Sequence, residues 1–251
     1  MSFRKGIQSG WNSMSSSYQT LSDISINDIH LSPFGPGNEE LNLIPDVNGK
    51  KIIELGAGGL QNSLFMSNKG ANVTAVDFSL QQLNHGQILL ETHQSDIHTV
   101  LADISHLNFL KSNQFDGIIS IFALEFIENI DDFFKSCQRL LNKNGWILIS
   151  TVHPLSAFEW DEERQILEVE NYFNPPVEIW KERPSDPHAV TIFRPISEIF
   201  NSITNSGFLV KRLIEPSASH SESPYKGIYW EPYKDRLNAV PFAVIFKATI
   251  K

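Results

Sequence analysis

Glu54, Gly56, Gly58, Gly59 and Asp77 are the residues whose types and spacing point most directly to chemistry. They fall in Lys51-Ile-Ile-Glu-Leu-Gly-Ala-Gly-Gly59 and at the end of Val73-Thr-Ala-Val-Asp77. Glycines without Cβ atoms let a ligand approach the backbone, and an aspartate at a strand tip can accept two hydroxyl hydrogen bonds from a ribose. A dinucleotide fingerprint needs a small residue where this chain has Gln61, and the Gly-Lys-Ser/Thr of a phosphate loop does not occur. Glu54 repels phosphates and suits a ligand that carries an ammonium group. His153, at the end of a candidate strand and pinned by Pro154, is the best-placed general base, with a hydrogen bond to a neighbouring loop as its alternative role.

The elements that must position these groups are legible as a period. Strands are expected near 51–55, 72–76, 97–102, 115–121 and 146–152, separated by helical segments. That alternation predicts an α/β fold, a doubly wound parallel sheet with right-handed crossovers. The helix after the glycine turn has Leu60, Leu64 and Phe65 inward and Gly70 as its stop. Its first amides face whatever occupies the turn. A later helix over 196–205, stopped by Gly207, leads to a strand at 208–214, and 242–250 closes the chain.

Glu54-Leu-Gly-Ala-Gly-Gly-Leu60 resembles motif I of the class I S-adenosylmethionine-dependent methyltransferases, with Leu60 in the place of that pattern's third glycine. Asp77-Phe-Ser79 is similar to the family's ribose-binding motif, and Val100-Leu-Ala-Asp103-Ile104 to its adenine-binding strand end. Phe115 to Phe126 resembles the fourth strand and the loop behind the ligand. Leu140 to Ile149 resembles the turn into strand five, with Asn142 and Asn144 as departures. The resemblance covers residues 47–153 and, in layout, extends to the C-terminus. It implies a mostly parallel seven-stranded sheet whose last two strands form a hairpin.

It also implies a cofactor, S-adenosyl-L-methionine, leaving as S-adenosyl-L-homocysteine. Glu54, Gly56, Ala57, Gly58, Gly59, Gln61, Asp77, Phe78, Ser79, Gln82, Asp103, Ile104, Phe122 and Ala123 are its expected contacts. Trp11 and Tyr18 belong to an arm that folds over the methionine moiety in relatives, and Tyr18 is placed to hold its carboxylate. Glu125 stands where many relatives carry a histidine, and His30 resembles a position near the ligand in small-molecule enzymes. Together with His153 these are the catalytic candidates.

Composition narrows the acceptor. The chain has 251 residues and a net charge of −9, which disfavours a nucleic-acid partner. No apolar stretch approaches a membrane span, and no apolar run follows the two early basic residues, so a cytoplasmic protein is expected. The single cysteine, Cys137, falls on the apolar face of a helix with Phe133, Phe134, Leu140 and Leu141 and reads as packing. No grouping shows metal-ligand spacing. Four of the five tyrosines and three of the five tryptophans follow His153. With Phe126, the residues Trp160, Tyr172, Trp180, Tyr225 and Trp230 are expected to wall an apolar or aromatic substrate pocket.

The chain divides into an N-terminal arm at 1–46, a cofactor-binding core at 47–153, a lid insertion at 154–194 and a C-terminal part at 195–251. The expectation is methylation of oxygen or nitrogen on a small aromatic or apolar metabolite by a monomer or homodimer. The competing readings are a catalytically silent protein that binds the same cofactor, an NAD-dependent oxidoreductase, and a methyltransferase of macromolecules.

Overall fold

Apolar runs alternating with amphipathic stretches build a central sheet in the computed structural model, which describes residues 3–218 and 223–251. Met1, Ser2 and residues 219–222 of the last long loop lie outside the described residues. In chain order come α1 (Arg4–Leu21), the short α2 (Asn38–Leu41), β1 (Lys51–Leu55), α3 (Gln61–Asn68), β2 (Asn72–Asp77), α4 (Leu80–Thr92) and β3 (His98–Leu101). These are followed by β4 (Phe115–Ile121), α5 (Ile130–Leu140) and β5 (Leu141–Val152). The 154–194 insertion holds β6 (Glu159–Asp161) paired with β7 (Ile166–Glu168), and β8 (Glu178–Trp180) paired with β9 (Ala189–Thr191). Helix α6 (Ile196–Asn205), β10 (Phe208–Ile214), α7 (Lys234–Ala239) and β11 (Ala243–Ile250) complete the chain.

The sheet has seven strands in the order β10-β11-β5-β4-β1-β2-β3. Strands β1 to β5 run parallel, and β11 is antiparallel to both of its neighbours, β5 and β10. This is the architecture that the strand alternation and the resemblance imply. Central parallel strands are covered on both faces, so they read as continuous apolar runs. Ile52 and Ile53, both fully buried, accordingly serve different clusters. Cys137 packs with Phe133, Phe134 and Leu140 in the cluster that holds Ile53.

Strand β5 starts earlier than its apolar run suggests. Pairing jumps from Phe115–Leu141 to Gly117–Trp146, so residues 142–145 form a bulge rather than a turn before the strand. Gly117 makes this possible: a Cβ there would lie 2.4 Å from the Trp146 ring.

Helix α1 carries an apolar row, Ile7, Trp11, Met14 and Tyr18, at helical spacing among its serines. Two glycines, each costing about 1 kcal/mol in a helix interior, are placed by contact. A Cβ on Gly6 would strike the His188 carbonyl oxygen at 1.8 Å, and one on Gly10 would meet the Trp180 ring at 2.5 Å. The insertion thus packs onto the outside of α1, with Ile7, Ala189 and Val190 buried between them.

The chain's order reverses between β1 and β4, since β2 and β3 lie to one side and β5 to the other. Open α/β sheets bind ligands outside the strand carboxyl ends at such a point.

Candidate active site

A cleft with about 830 Å³ of space not filled by atoms, mouth included, opens at this switch point. Its floor is the turn after β1. Gly56 adopts φ +80°, and its Cβ would lie 2.4 Å from that of Ala123 in the loop after β4. The amides of Gly56 and Ala57 donate to the Val76 carbonyl, tying the turn to β2.

Asp77 is buried and holds the turn: its two oxygens accept from the Gly58 and Ser79 amides, each at 2.8 Å. An ionised carboxylate offers about four lone-pair sites, so acceptor capacity remains for a diol. Burial pushes its carboxyl up to about 6 against the pull of those amides. Glu54 is 1% exposed and accepts from Asn62 Nδ2 at 3.1 Å and from the Ser63 hydroxyl. Burial pushes it up to about 7. Neither carboxylate has an ion-pair partner among the described residues, and no lysine or arginine lines the cleft. Two buried, cation-free carboxylates fit a ligand with its own positive charge and vicinal hydroxyls.

Helix α1 forms the roof through polar side chains. Gln61 donates to Gln19 at 2.5 Å and Gln19 donates to Gln82 at 2.7 Å, a relay across the glycine turn. The relay explains Gly59, whose Cβ would lie 2.5 Å from Gln19 Oε1. Gln8 donates to the Phe78 carbonyl, Asn12 accepts from the Ser79 hydroxyl, and Arg4 pairs with Asp103 at 3.2 Å. Rings make up the wall. Trp11 meets Tyr18 and Phe126 edge-on at 5.2 and 5.7 Å between centroids.

Every residue assigned to the cofactor by resemblance lines this cleft except Ser79, which caps α4 by accepting from the Gln82 amide. Among the catalytic candidates only His30 lines it. Among the described residues its buried Nδ1 has no hydrogen-bond partner, and burial pulls the imidazole down to about 4, so the ring is neutral near pH 7.

His153 lies elsewhere and has both nitrogens engaged. Nδ1 accepts from the Leu155 amide at 3.1 Å, which leaves the proton on Nε2 to be donated to Glu215 at 2.8 Å. Proline at 154 turns the chain back on the ring, making it a cap. Glu125 is buried behind the wall, accepting from Thr151 at 2.9 Å and pushed up to about 7 by desolvation.

Of the expected substrate contacts, Phe126 lines the cleft and the others do not. Trp180 fills the notch over Gly10 and donates to Thr191. Tyr172 accepts from the Ile196 amide at 3.4 Å, and Trp160 sits in the β6–β7 hairpin. Tyr225 stands one layer back, fully buried, its ring against His30 and Phe122 and its hydroxyl bonded to that of Tyr18. Trp230 packs behind Tyr225 and against Phe242. The aromatic count after His153 therefore measures how α1 and the last loop are backed rather than what faces the ligand.

Gln19, Ile24, Asn62, Ser105, Ile121 and Ile127 also line the cleft. Asn62 carried a usable signal, adjoining Gln61 in the first turn after the glycines, and so did Gln19 beside Tyr18. Ile24 carried none. Among the described residues no group of His, Cys, Asp and Glu could hold a metal ion, and no helix is long and apolar enough to cross a membrane.

A family described as "Methyltransferase domain" matches residues 53–149. The uncharacterized methyltransferase YbaJ of Bacillus subtilis is 33% identical over 119 residues, covering 47% of this chain and 46% of that protein. A ubiquinone biosynthesis O-methyltransferase of Dechloromonas aromatica is 30% identical over 106 residues, covering 42% and 45%. The chain thus spans about half the length of these curated relatives. An S-adenosylmethionine-dependent methyltransferase from Mesorhizobium loti has the same fold, with a TM-score of 0.70 at 21% identity over 83% of this chain and 94% of that one. Residues 53–149 of this chain thus match a methyltransferase domain, within a fold shared with an S-adenosylmethionine-dependent methyltransferase.

Proposed function

We propose that the protein methylates an oxygen or nitrogen of a small, apolar or aromatic metabolite. The observation that carries this reading is the joining, in one cleft, of the cation-free carboxylates Glu54 and Asp77 with a ring-lined wall closed over by α1. When bound, S-adenosylmethionine supplies a methyl group on a positively charged sulfur that a nucleophile displaces in line. The chain's own work is to place and to dry. Asp77 holds the ribose hydroxyls, Glu54 and Asp77 set a negative field for the cationic end, and the Gln61–Gln19–Gln82 relay keeps α1 down so that water is excluded. A roof so close leaves room for a small acceptor, and the net charge of −9 works against a polyanionic one. The Dechloromonas relative, an O-methyltransferase of ubiquinone biosynthesis, lends support to a small-molecule acceptor.

The test is calorimetric titration with S-adenosylhomocysteine, followed by incubation with methyl-labelled donor and a deproteinised metabolite extract. Binding together with label in the acid-soluble fraction is expected. Label in acid-insoluble material would replace the metabolite with a macromolecule, and binding without any transfer would favour a silent binding protein.

A further inference from the structure

Arg139, Arg194 and Arg236 each hold a turn of the chain by its backbone oxygens. Arg139 donates to the carbonyls of Leu107 and Leu110 at 2.8 and 2.7 Å, and Arg236 to those of Leu155 and Phe158 at 2.7 and 3.0 Å. Arg194 donates to Leu124 at 3.4 Å, to Ile127 at 2.5 Å and to Glu128 at 3.2 Å. Of these three turns, the one under Arg194 carries residues that line the cleft, Phe126 and Ile127.

That turn needs holding. It follows β4 as a single 3-10 turn over Leu124–Phe126, closed by the Phe126 and Ile127 amides on the Ala123 and Leu124 carbonyls, each at 3.1 Å. So short a helix leaves its last carbonyls without partners of its own, and the burial of Leu124, Glu125 and Ile127 keeps water from them. The chain enters the turn through Phe122 at φ +51°, a left-handed conformation that persists only where the surroundings impose it.

The donors that complete the turn come from the return leg of the insertion, just before α6. The Ile192 amide donates to the Glu125 carbonyl at 2.9 Å, and the Arg194 guanidinium serves Leu124, Ile127 and Glu128. Arg194 is 7% exposed, and its Nε meets Glu198 in the first turn of α6 at 3.3 Å, which balances the buried charge. A lysine, with one nitrogen, cannot span three carbonyls and a carboxylate at once. The return leg is also fixed to the roof of the cleft. Ala189 and Val190 are buried against Ile7, and Ile192 packs in the same cluster as Trp11, Phe126 and Trp180. The Phe126 ring, edge-on to Trp11 at 5.7 Å, therefore stands between a roof and a turn that are both tied to one strap.

We propose that Arg194 is a positioning residue for methyl transfer. It does not line the cleft. By gripping the carbonyls of 124–128 it sets where Phe126 and Ile127 stand against the acceptor, and so whether the nucleophile lies on the line through the sulfur–methyl bond. A misplacement of about 1 Å is enough to cost about 100-fold in rate. This inference rests on the methyltransferase reading above.

The experiment compares wild type with Arg194→Lys and Arg194→Met, and with Arg236→Met as a control that loses a carbonyl clamp away from the cleft. S-adenosylhomocysteine affinity is measured by calorimetry. Transfer of label from the donor is followed over a dilution series of deproteinised metabolite extract, which yields a plateau rate and a half-saturating dilution. Hydrogen exchange read by mass spectrometry reports the order of residues 124–128. Absence of binding or of transfer in wild type overturns the parent reading and this one with it. Arg194→Met is expected to exchange faster over 124–128, to bind S-adenosylhomocysteine within about 3-fold of wild type, and to lose about 100-fold in plateau rate. Arg194→Lys, which keeps the charge and part of the grip, should lose about 10-fold, and it carries the test if Arg194→Met does not fold. Arg236→Met should melt at a lower temperature and keep the wild-type plateau and half-saturating dilution. Wild-type transfer or unchanged exchange over 124–128 in the Arg194 variants overturns the proposal. So does an equal loss of transfer in Arg236→Met, or a loss in the Arg194 variants matched by their loss of S-adenosylhomocysteine affinity.

Discussion

At the scale of single residues, Leu60 shows how the chain departs from the motif it resembles and keeps the shape. The third glycine of motif I is here a leucine, yet the backbone still takes φ +68°, a left-handed conformation that costs a non-glycine residue about 1–2 kcal/mol. The side chain recovers this by burial: Leu60 is fully buried and occupies a notch in α4 left by Gly86, whose Cβ would lie 2.3 Å from Leu60 Cγ. Gly86→Ala is expected to destabilise the protein by about 1–3 kcal/mol, and by much less in a Leu60→Ala background. Urea denaturation of the four proteins reads this coupling, and additive costs would show that the pair does not interlock. His153 illustrates the opposite lesson. Its type, strand end and following proline suggest a base, but spacing does not tell which way a ring points. With Leu155 and Glu215 on its two nitrogens, His153→Ala should lower the melting temperature and leave S-adenosylhomocysteine affinity unchanged, as calorimetry would show. Gly56, Gly58 and Asp77 were legible because their roles are backbone geometry and strand position, which sequence order specifies directly.

At the scale of elements, the sheet strands were legible because burial on both faces demands unbroken apolar runs. Helix α1 was legible only in part: Ile7, Trp11, Met14 and Tyr18 fall at helical spacing. Its docking through Arg4, Gln8, Asn12 and Gln19 onto the ligand-binding loops, and its close approach at two glycines, leave no apolar mark. The aromatic insertion was misplaced for the same reason, since Trp180 covers Gly10 from outside instead of facing the cleft. A helix docked by hydrogen bonds exchanges each one for water on lifting, at a net cost of about 0.5–1.5 kcal/mol. Removing the central contact with Gln19→Ala should therefore change stability by no more than about 1.5 kcal/mol while weakening cofactor binding roughly 10-fold. Protease cleavage within α1 should rise in parallel and be suppressed by S-adenosylhomocysteine. Unchanged affinity in this variant would mean that α1 does not close over the cofactor.

At the scale of the whole molecule, buried titratable groups oppose one another. Burial raises Glu54 and Glu125 to about 7 and Asp77 to about 6, from ordinary values of 4.5 and 3.8. Each folded-state carboxyl holds its proton longer than the unfolded one, so each makes stability fall as pH rises from about 4 to about 7. His30, lowered from 6.5 to about 4, and His153, also lowered, act in reverse, because the unfolded imidazole binds the extra proton and stability rises with pH below 6.5. Between about pH 4.5 and 6.5 the two imidazoles offset part of the fall that the three carboxyls cause. Only the carboxylates remain above that, where they leave a negative cleft that favours a cation. Replacing His30 by Phe should expose a stability that falls with rising pH through this window, read from melting temperatures. For the cofactor the sign is fixed by its charge. S-adenosylmethionine binds best when Glu54 and Asp77 are ionised, so its affinity should rise between pH 5.5 and pH 7.5. S-adenosylhomocysteine, lacking the positive sulfur, should respond less. Calorimetric titrations of both ligands at three pH values, repeated with Glu54→Gln, would show that difference shrink in the variant. An equal pH response of the two ligands would mean that the carboxylates do not act on the sulfur, and that the cleft's charge serves the ammonium end alone.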